Sequence, residues 1–257
     1  MAQEDDARLA LACLDLTSLN DGDDAHAITV LCQRAVTPWG AVAAVCVWPR
    51  FVAQARAALP REIAVAAVAN FPDGALDVER ALTDARSIVA AGADEVDLVL
   101  PWRAMLEGRA AEAAQLVAAV RATCVGRRLK LIIESGELPS ADAIRQACAI
   151  GLDAGVDFLK TSTGKTAHGA SHAAARLVLQ AIAAHPQGAR VGFKAAGGVR
   201  SVADAASYSA LVGDILGPSA LCAARLRFGA SGLLGDIERV LSGQTANAAA
   251  ATPTTAY

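Results

Sequence analysis

The chain contains 257 residues with a formal net charge of −3, and 54% of them are hydrophobic although only 4% are aromatic. No run of Lys or Arg is dense enough to bind a nucleic acid backbone, which argues against a nucleic acid partner. No apolar window approaches the length of a membrane span, which argues against a membrane protein. The composition predicts a cytoplasmic enzyme with a core of Ala, Val, Leu and Ile, as in layered α/β proteins.

Short β-branched runs alternate with longer Ala-, Leu- and Arg-rich stretches, which predicts repeated βα units around a parallel sheet. Eight units can be counted, so residues 1–242 are predicted to form a single-domain α/β (β/α)8 TIM barrel. The predicted strands are Leu11–Leu14, Val42–Val47, Ile63–Val68, Val96–Leu100, Leu129–Ile133, Phe158–Lys160, Val191–Lys194 and Leu226–Phe228.

Several helices carry start and stop signals. Asp77, Ser140 and Ser201 each precede a stretch with helical periodicity and are predicted N-caps. Gly92 and Gly155 are predicted to end two of these helices.

The stretches that follow these two glycines resemble each other. Asp97 lies five residues after Gly92, and Lys160 lies five residues after Gly155. Equal offsets indicate equal strand phase, so both side chains are predicted to point into the barrel, on strands that contribute to a common layer.

The lysine that ends the sixth strand, Lys160 in VDFLKTSTGKT, is the strongest chemical signal. A lysine inside an apolar barrel has a lowered pKa, and its neutral amine can attack an aldehyde to form an imine. Lys194 ends the next strand and could lower that pKa further by repulsion. The alternatives are that both lysines extend to water and that Asp97 is only a structural ion-pair partner.

Glycine-rich loops follow the last three strands and predict a phosphate site at the C-terminal face, with ordinary βα turns as the alternative. Their residues are Thr163, Gly164 and Lys165, then Gly197, Gly198, Val199 and Arg200, then Gly229 to Gly232. Glu134 ends the fifth strand and is predicted to be a structural partner for nearby cations.

Two further features bear on cofactors and on the end of the chain. The six cysteines lack the two-residue spacing of zinc and redox motifs, and the four histidines lack a metal-ligand pattern, so no metal and no catalytic histidine are predicted. Residues 243–257 form an Ala/Thr/Pro-rich stretch that is predicted to be a flexible tail ending in Tyr257.

Stretches over nearly all eight units are specific when taken together, namely CLDLTSLN, VCVWPRF, NFPDG, GADEVDLVLP, IIESGEL, DFLKTSTGKT, VGFKAAGGVR and RFGASGLL. In these stretches the chain resembles the bacterial deoxyribose-phosphate aldolase family. The resemblance implies a class I aldolase that reversibly splits 2-deoxy-D-ribose 5-phosphate into acetaldehyde and D-glyceraldehyde 3-phosphate without a cofactor, in the catabolism of deoxyribonucleosides.

The resemblance also implies roles for individual residues. Lys160 is then the Schiff-base lysine, Lys194 the lysine that tunes its pKa, and Asp97 the carboxylate of a proton relay. Asp15 and Thr17 are implied to contact substrate hydroxyls. Further substrate contacts implied around them are Asn20 in the first loop and, for the phosphate, Gly164, Lys165, Gly197, Gly198, Val199, Arg200, Ser231 and Gly232.

Two positions depart from the family pattern. Gly232 stands where a second serine is common, which removes a hydroxyl donor but keeps the backbone amide. Ala195 stands where a proline is expected, so the end of that strand is predicted to be less rigid.

Other expectations concern the tail, the assembly and competing functions. In family members with such a tail the terminal tyrosine covers the site, so Tyr257 is a candidate lid and proton relay, with a tail of no role as the alternative. Dimers occur in the family, which leaves a homodimer open. The competing functions are another Schiff-base barrel aldolase or transaldolase, and a non-catalytic phosphosugar-binding protein.

Overall fold

The computed structural model describes residues 2–243 and contains a closed barrel of eight parallel strands. The strands follow one another around the barrel in chain order, and the last pairs with the first. The barrel strands are β1 (Leu14–Thr17), β4 (Ala44–Val47), β5 (Ala64–Ala69), β6 (Glu95–Val99), β7 (Arg128–Ile132), β8 (Phe158–Lys160), β9 (Gly192–Ala196) and β10 (Leu226–Ala230). The predicted fold class is confirmed.

Helices alternate with these strands. They are α1 (Ala2–Ala12), α2 (Ala25–Arg34), α3 (Val52–Ala58), α4 (Val78–Ala90), α5 (Trp102–Leu106), α6 (Ala110–Thr123), α7 (Ala141–Asp153), α8 (His172–Ala184), α9 (Val202–Leu216) and α10 (Leu233–Leu241). Three 3-10 turns lie at Pro49–Phe51, Gly188–Arg190 and Pro218–Ala220, and β2 (Val36–Thr37) and β3 (Gly40–Ala41) form a small antiparallel pair outside the barrel.

Local signals explain where several helices begin and end. The side chains of Asp77, Ser140 and Ser201 each accept a backbone N–H from the first turn of α4, α7 and α9. Gly92 and Gly155 have φ of 92° and 74° just beyond α4 and α7, a left-handed conformation that glycine adopts without strain.

The first predicted strand is wrong in its position. The residues predicted to begin it belong to α1, because Ala7, Ala10 and Leu11 are buried at helical spacing and pack this helix onto the protein. The strand begins at Leu14 and continues to Thr17. The shift moves Asp15 into the strand itself.

The barrel strands are buried on both faces, as the predicted apolar runs require. No helix in the described part of the chain is both long and apolar enough to cross a bilayer. Residues 244–257 lie outside the described residues, and they include Tyr257 and all of the predicted tail except Gly243.

Candidate active site

Lys160 is the last residue of β8, and only 3% of its surface is exposed. Its ammonium nitrogen donates to Oδ2 of Asp97 at 2.9 Å. Lys194, on β9, donates to the same oxygen at 2.8 Å. The barrel therefore brings the three predicted catalytic side chains together, as expected for Asp97 and Lys160 from their equal offsets and for Lys194 from the neighbouring strand.

The three side chains belong to a larger set of buried ionic groups, which we call the interior charge cluster. Each member has at most 3% of its surface exposed, and contacts of 3.3 Å or less connect them all. Its members are Asp15, Glu95, Asp97, Lys130, Lys160, Lys194 and Arg227.

Lys130 lies at the centre of the interior charge cluster. Its ammonium nitrogen is 2.5 Å from Glu95, 2.7 Å from Asp97 and 3.3 Å from Asp15. Arg227 closes the cluster with contacts to Asp15 at 2.6 Å and to Glu95 at 3.0 Å. Three members of the cluster were not predicted from sequence, namely Glu95 at the start of β6, Lys130 inside β7 and Arg227 inside β10.

Strand register explains how these side chains meet. Lys160 pairs with Lys194, and Lys194 pairs in turn with Arg227, so the three point to the same face of the sheet. Glycine makes room for them: a Cβ at Gly229 would lie 2.9 Å from Cε of Lys194. Long cationic side chains thus fit inside a narrow barrel.

Beneath Lys160 the barrel is filled. Phe158, two residues earlier on the strand, is 1% exposed, and a Cβ at its register partner Gly192 would lie 2.2 Å from its ring. The guanidinium of Arg227 lies over the same ring, 5.6 Å from its centroid. The space in the barrel below Lys160 is therefore filled by packed side chains.

The three buried lysines differ in their pKa. Burial lowers the pKa of Lys160; Asp97 opposes this and Lys194 reinforces it, and the net result is a lowered pKa. For Lys130 and Lys194 burial acts in the same direction, but contacts with several carboxylates outweigh it and raise their pKa. Lys160 has a lowered pKa despite its ion pair with Asp97 because burial outweighs this single carboxylate and the charge of Lys194 adds to the effect.

Asp97 has the opposite balance. Burial would raise its pKa, but Lys130, Lys160 and Lys194 together hold it well below the usual value. The group is therefore a carboxylate that accepts hydrogen bonds from the side-chain nitrogens of three lysines. Its ionised form is strongly favoured.

A cavity of about 270 Å³ opens above Lys160. All but one of the predicted substrate-binding residues line it, and they include two cations, Lys165 and Arg200. The predicted residues on its wall are Thr17, Asn20, Thr163, Gly164, Lys165, Gly197, Gly198, Val199, Arg200, Ser231 and Gly232. The exception is Asp15, which is fully buried below the wall and paired with Lys194, Lys130 and Arg227.

The helix ends beside the cavity differ in their free backbone amides. At the start of α9, Asp204 accepts the N–H groups of Arg200 and Ser201, and Asp236 accepts that of Val202 at 2.8 Å. The start of α10 has Gly232 as N-cap, with no side-chain cap. The uncapped end of α10 is thus the one prepared for an anion.

Glu134 holds the loop that follows Lys160. It is fully buried, has a left-handed φ of 51°, and accepts the backbone N–H of Thr163 at 3.1 and 3.3 Å. Thr163 in turn accepts the backbone N–H of Lys165 at 3.0 Å. Glu134 was predicted to be a structural partner for nearby cations. No described ion pair involves it, and burial raises its pKa, although the charge of Lys160 partly offsets this effect.

The loop after β1 is also fixed by side chains. The side-chain amide of Asn20 donates to Oδ1 of Asp23 at 3.1 Å, and the backbone carbonyl of Asn20 accepts the indole N–H of Trp48 at 3.0 Å. Thr17 turns its hydroxyl to the carbonyl of Asp15 at 2.8 Å. Ala195 is fully buried in β9, and nothing in its surroundings distinguishes it from other strand residues.

Comparisons with known proteins identify the family of the chain. A family model described as DeoC/LacD family aldolase matches residues 9–233. A deoxyribose-phosphate aldolase from Agrobacterium fabrum is 45% identical over 240 residues, 92% of each chain.

Solved structures share the fold. A candidate deoxyribose-phosphate aldolase from Toxoplasma gondii has a TM-score of 0.86 at 24% identity, covering 95% of this chain and 97% of that one. The deoxyribose phosphate aldolase from Aeropyrum pernix, described as having a unique tetrameric structure, has a TM-score of 0.70 at 24% identity, covering 93% and 92%.

Proposed function

The chain belongs to the DeoC/LacD aldolase family, and on that premise we propose that it reversibly cleaves 2-deoxy-D-ribose 5-phosphate into acetaldehyde and D-glyceraldehyde 3-phosphate through a Schiff base on Lys160. One observation carries the proposal. Of the three lysines in the interior charge cluster, only Lys160 lines the cavity, and it alone has a lowered pKa. A neutral amine at the floor of a polar cavity is the nucleophile that imine formation needs.

The reaction follows from that amine. The nitrogen of Lys160 attacks C1 of the open-chain sugar, and water leaves to give an iminium. The electron pair of the C2–C3 bond moves into the iminium, while the C3 hydroxyl loses its proton and becomes the aldehyde of glyceraldehyde 3-phosphate. The enamine that remains takes up a proton at C2, and hydrolysis releases acetaldehyde and restores Lys160.

We assign the proton transfers to Asp97 with Lys194 beside it. Because one oxygen of Asp97 contacts the side-chain nitrogens of both lysines, a proton can pass from the Lys194 ammonium to the Lys160 amine without movement of the carboxylate. A bound water would carry it to the substrate. The strongly favoured ionised form of Asp97 makes it a short-lived proton carrier rather than a storage site.

The phosphate is proposed to bind at the far end of the cavity. The uncapped amides at the start of α10 and the left-handed Gly197 and Gly198, with φ of 81° and 94°, present backbone N–H donors. Lys165 and Arg200 supply positive charge on the same wall. The remaining contacts proposed for the phosphate are Thr163, Gly164, Val199, Ser231 and Gly232.

Thr17 and Asn20 are proposed to contact the sugar hydroxyls, since both line the cavity near Lys160. Asp15 would reach a hydroxyl only after it leaves Lys194 or Arg227, and it otherwise acts through those cations. Tyr257 remains a proposed lid, which a variant truncated after Ser242 would test by its turnover.

We further propose that the protein works without a cofactor, in the cytoplasm, in deoxyribonucleoside catabolism, and as a homodimer. Light scattering of the purified protein would separate a dimer from a monomer or a tetramer. Cell fractionation would test the location.

A coupled assay tests the activity. Glyceraldehyde 3-phosphate should be released from deoxyribose 5-phosphate, and borohydride with acetaldehyde should place a two-carbon adduct on Lys160. Release from a larger ketose donor instead would indicate another Schiff-base aldolase or transaldolase. Substrate binding without release or an adduct would indicate a phosphosugar-binding protein, and an adduct on Lys165 or Lys194 with Lys160 clean would refute the assignment.

A further inference from the structure

The interior charge cluster contains four cationic side chains and only three carboxylates, all buried. A net charge inside a protein has little water to solvate it and is therefore costly. If all seven groups were ionised, the cluster would carry one uncompensated positive charge. The cost falls when one cation loses its proton.

The contacts indicate which cation that is. Arg227 does not deprotonate in proteins. Lys130 contacts three carboxylates and Lys194 contacts two. Lys160 contacts only Asp97, through an oxygen that it shares with Lys194, so its ammonium form is the least compensated of the four.

We propose that Arg227 keeps the amine of Lys160 neutral from a distance, because it supplies the cation that leaves the cluster with one positive charge in excess. This inference rests on the proposed function, in which Lys160 is the nucleophile. Arg227 does not line the cavity. It is the register partner of Lys194, and two strand spacings place its backbone about 10 Å from that of Lys160. At that separation a buried unit charge changes a pKa by on the order of one unit.

Other charged groups near the cluster do not alter this balance between variants. Burial raises the pKa of the Cys46 thiol on β4, which keeps it neutral, and β5 contributes only Ala and Val. Arg128 reaches Glu95 from solvent with a side chain that is 49% exposed, so water screens its charge. Glu134 is close enough to Lys160 to feel its charge, but burial raises the pKa of Glu134, loop amides bind it, and it is the same in every variant.

The test measures the neutral fraction of Lys160 without the sugar phosphate. The rate of the two-carbon adduct on Lys160, formed from acetaldehyde and cyanoborohydride, is followed against pH by peptide mass spectrometry. Arg227→Gln removes the excess charge and should raise the apparent pKa of Lys160 by on the order of one unit. Glu95→Gln removes a negative charge, which doubles the excess positive charge and should lower the apparent pKa of Lys160. The double variant should have the same apparent pKa as the parent.

Arg227→Lys is the matched control, because it keeps the charge and should leave the pH profile unshifted even if it lowers the melting temperature. If Arg227→Gln fails to fold, Glu95→Gln still tests the proposal. An unchanged or raised apparent pKa of Lys160 in that variant overturns it. A purely structural role would slow both single variants without shifts of opposite sign. If the parent forms no adduct on Lys160 at any pH, the proposed function fails instead.

Discussion

Lys160 and Lys194 are register partners on neighbouring strands, and both ammonium groups reach the same atom, Oδ2 of Asp97. Two like charges that share one acceptor repel each other, so each is sensitive to the loss of the other. Their pKa shifts have opposite signs because only Lys194 has a second carboxylate, Asp15, within contact.

Replacement of Lys194 by leucine should abolish most of the activity and raise the apparent pKa of Lys160. The positive charge of Lys194 lowers that pKa. Without it the amine is protonated up to higher pH, and the acid limb of kcat/KM moves to higher pH. Lys194→Arg keeps the charge but changes its shape, and should restore little activity. An unshifted profile with near-normal turnover would leave Lys194 a structural residue.

Asp97→Asn should reduce turnover by roughly a hundredfold or more, the range that acid–base groups supply. The carboxylate raises the pKa of Lys160, so its removal should move the acid limb to lower pH, opposite to the Lys194 variant. A urea melt serves as the control for folding. Lower stability with unchanged turnover would mean that Asp97 is only an ion-pair partner.

Glu134→Leu should raise the Michaelis constant for deoxyribose 5-phosphate by about tenfold, because a hydrogen bond to a charged group contributes about 1.5–3 kcal/mol and this one positions the loop of Thr163 and Lys165. Glu134→Gln keeps an oxygen for the same amide and should stay close to the parent. Steady-state kinetics with unphosphorylated deoxyribose provide the reference. Identical behaviour of the two variants would remove this role from Glu134.

Gly232→Ser should lower the Michaelis constant for deoxyribose 5-phosphate by about tenfold and leave that for deoxyribose unchanged, by adding a donor to the phosphate site. The backbone accepts the change, because Gly232 has a φ of −89° and no atom lies within 4 Å of an added Cβ. Turnover should change little, since the phosphate is remote from the bond that breaks. Equal changes in the Michaelis constants of both substrates would mean that Gly232 serves the turn and not the phosphate.

Much of the site could be predicted from sequence because barrel geometry converts spacing into position. Equal offsets from Gly92 and Gly155 placed Asp97 and Lys160 on the same interior face, and loops after the last three strands had to meet at one end.

Three members of the interior charge cluster, Glu95, Lys130 and Arg227, could not be predicted in the same way. Lys130 and Arg227 lie in largely apolar strands, and their partners on β1 and β6 are distant in sequence. Glu95 gave a weak signal, since it precedes Asp97 by two residues and must share its face. The first strand was displaced because LALACLDL fits a buried strand and the inner face of a helix equally well.

The packing of Phe158 against Gly192 determines the route to Lys160. In residues 2–243 the space below the amine is occupied by this ring and by Lys130 and Arg227, so a substrate enters only between the loops that would hold the phosphate. The three-carbon product then stands in the passage, while the two-carbon fragment is still bound to nitrogen behind it. Release should therefore be ordered, with the phosphorylated aldehyde leaving first. In synthesis acetaldehyde should bind first, and product-inhibition patterns should be those of a fixed sequence.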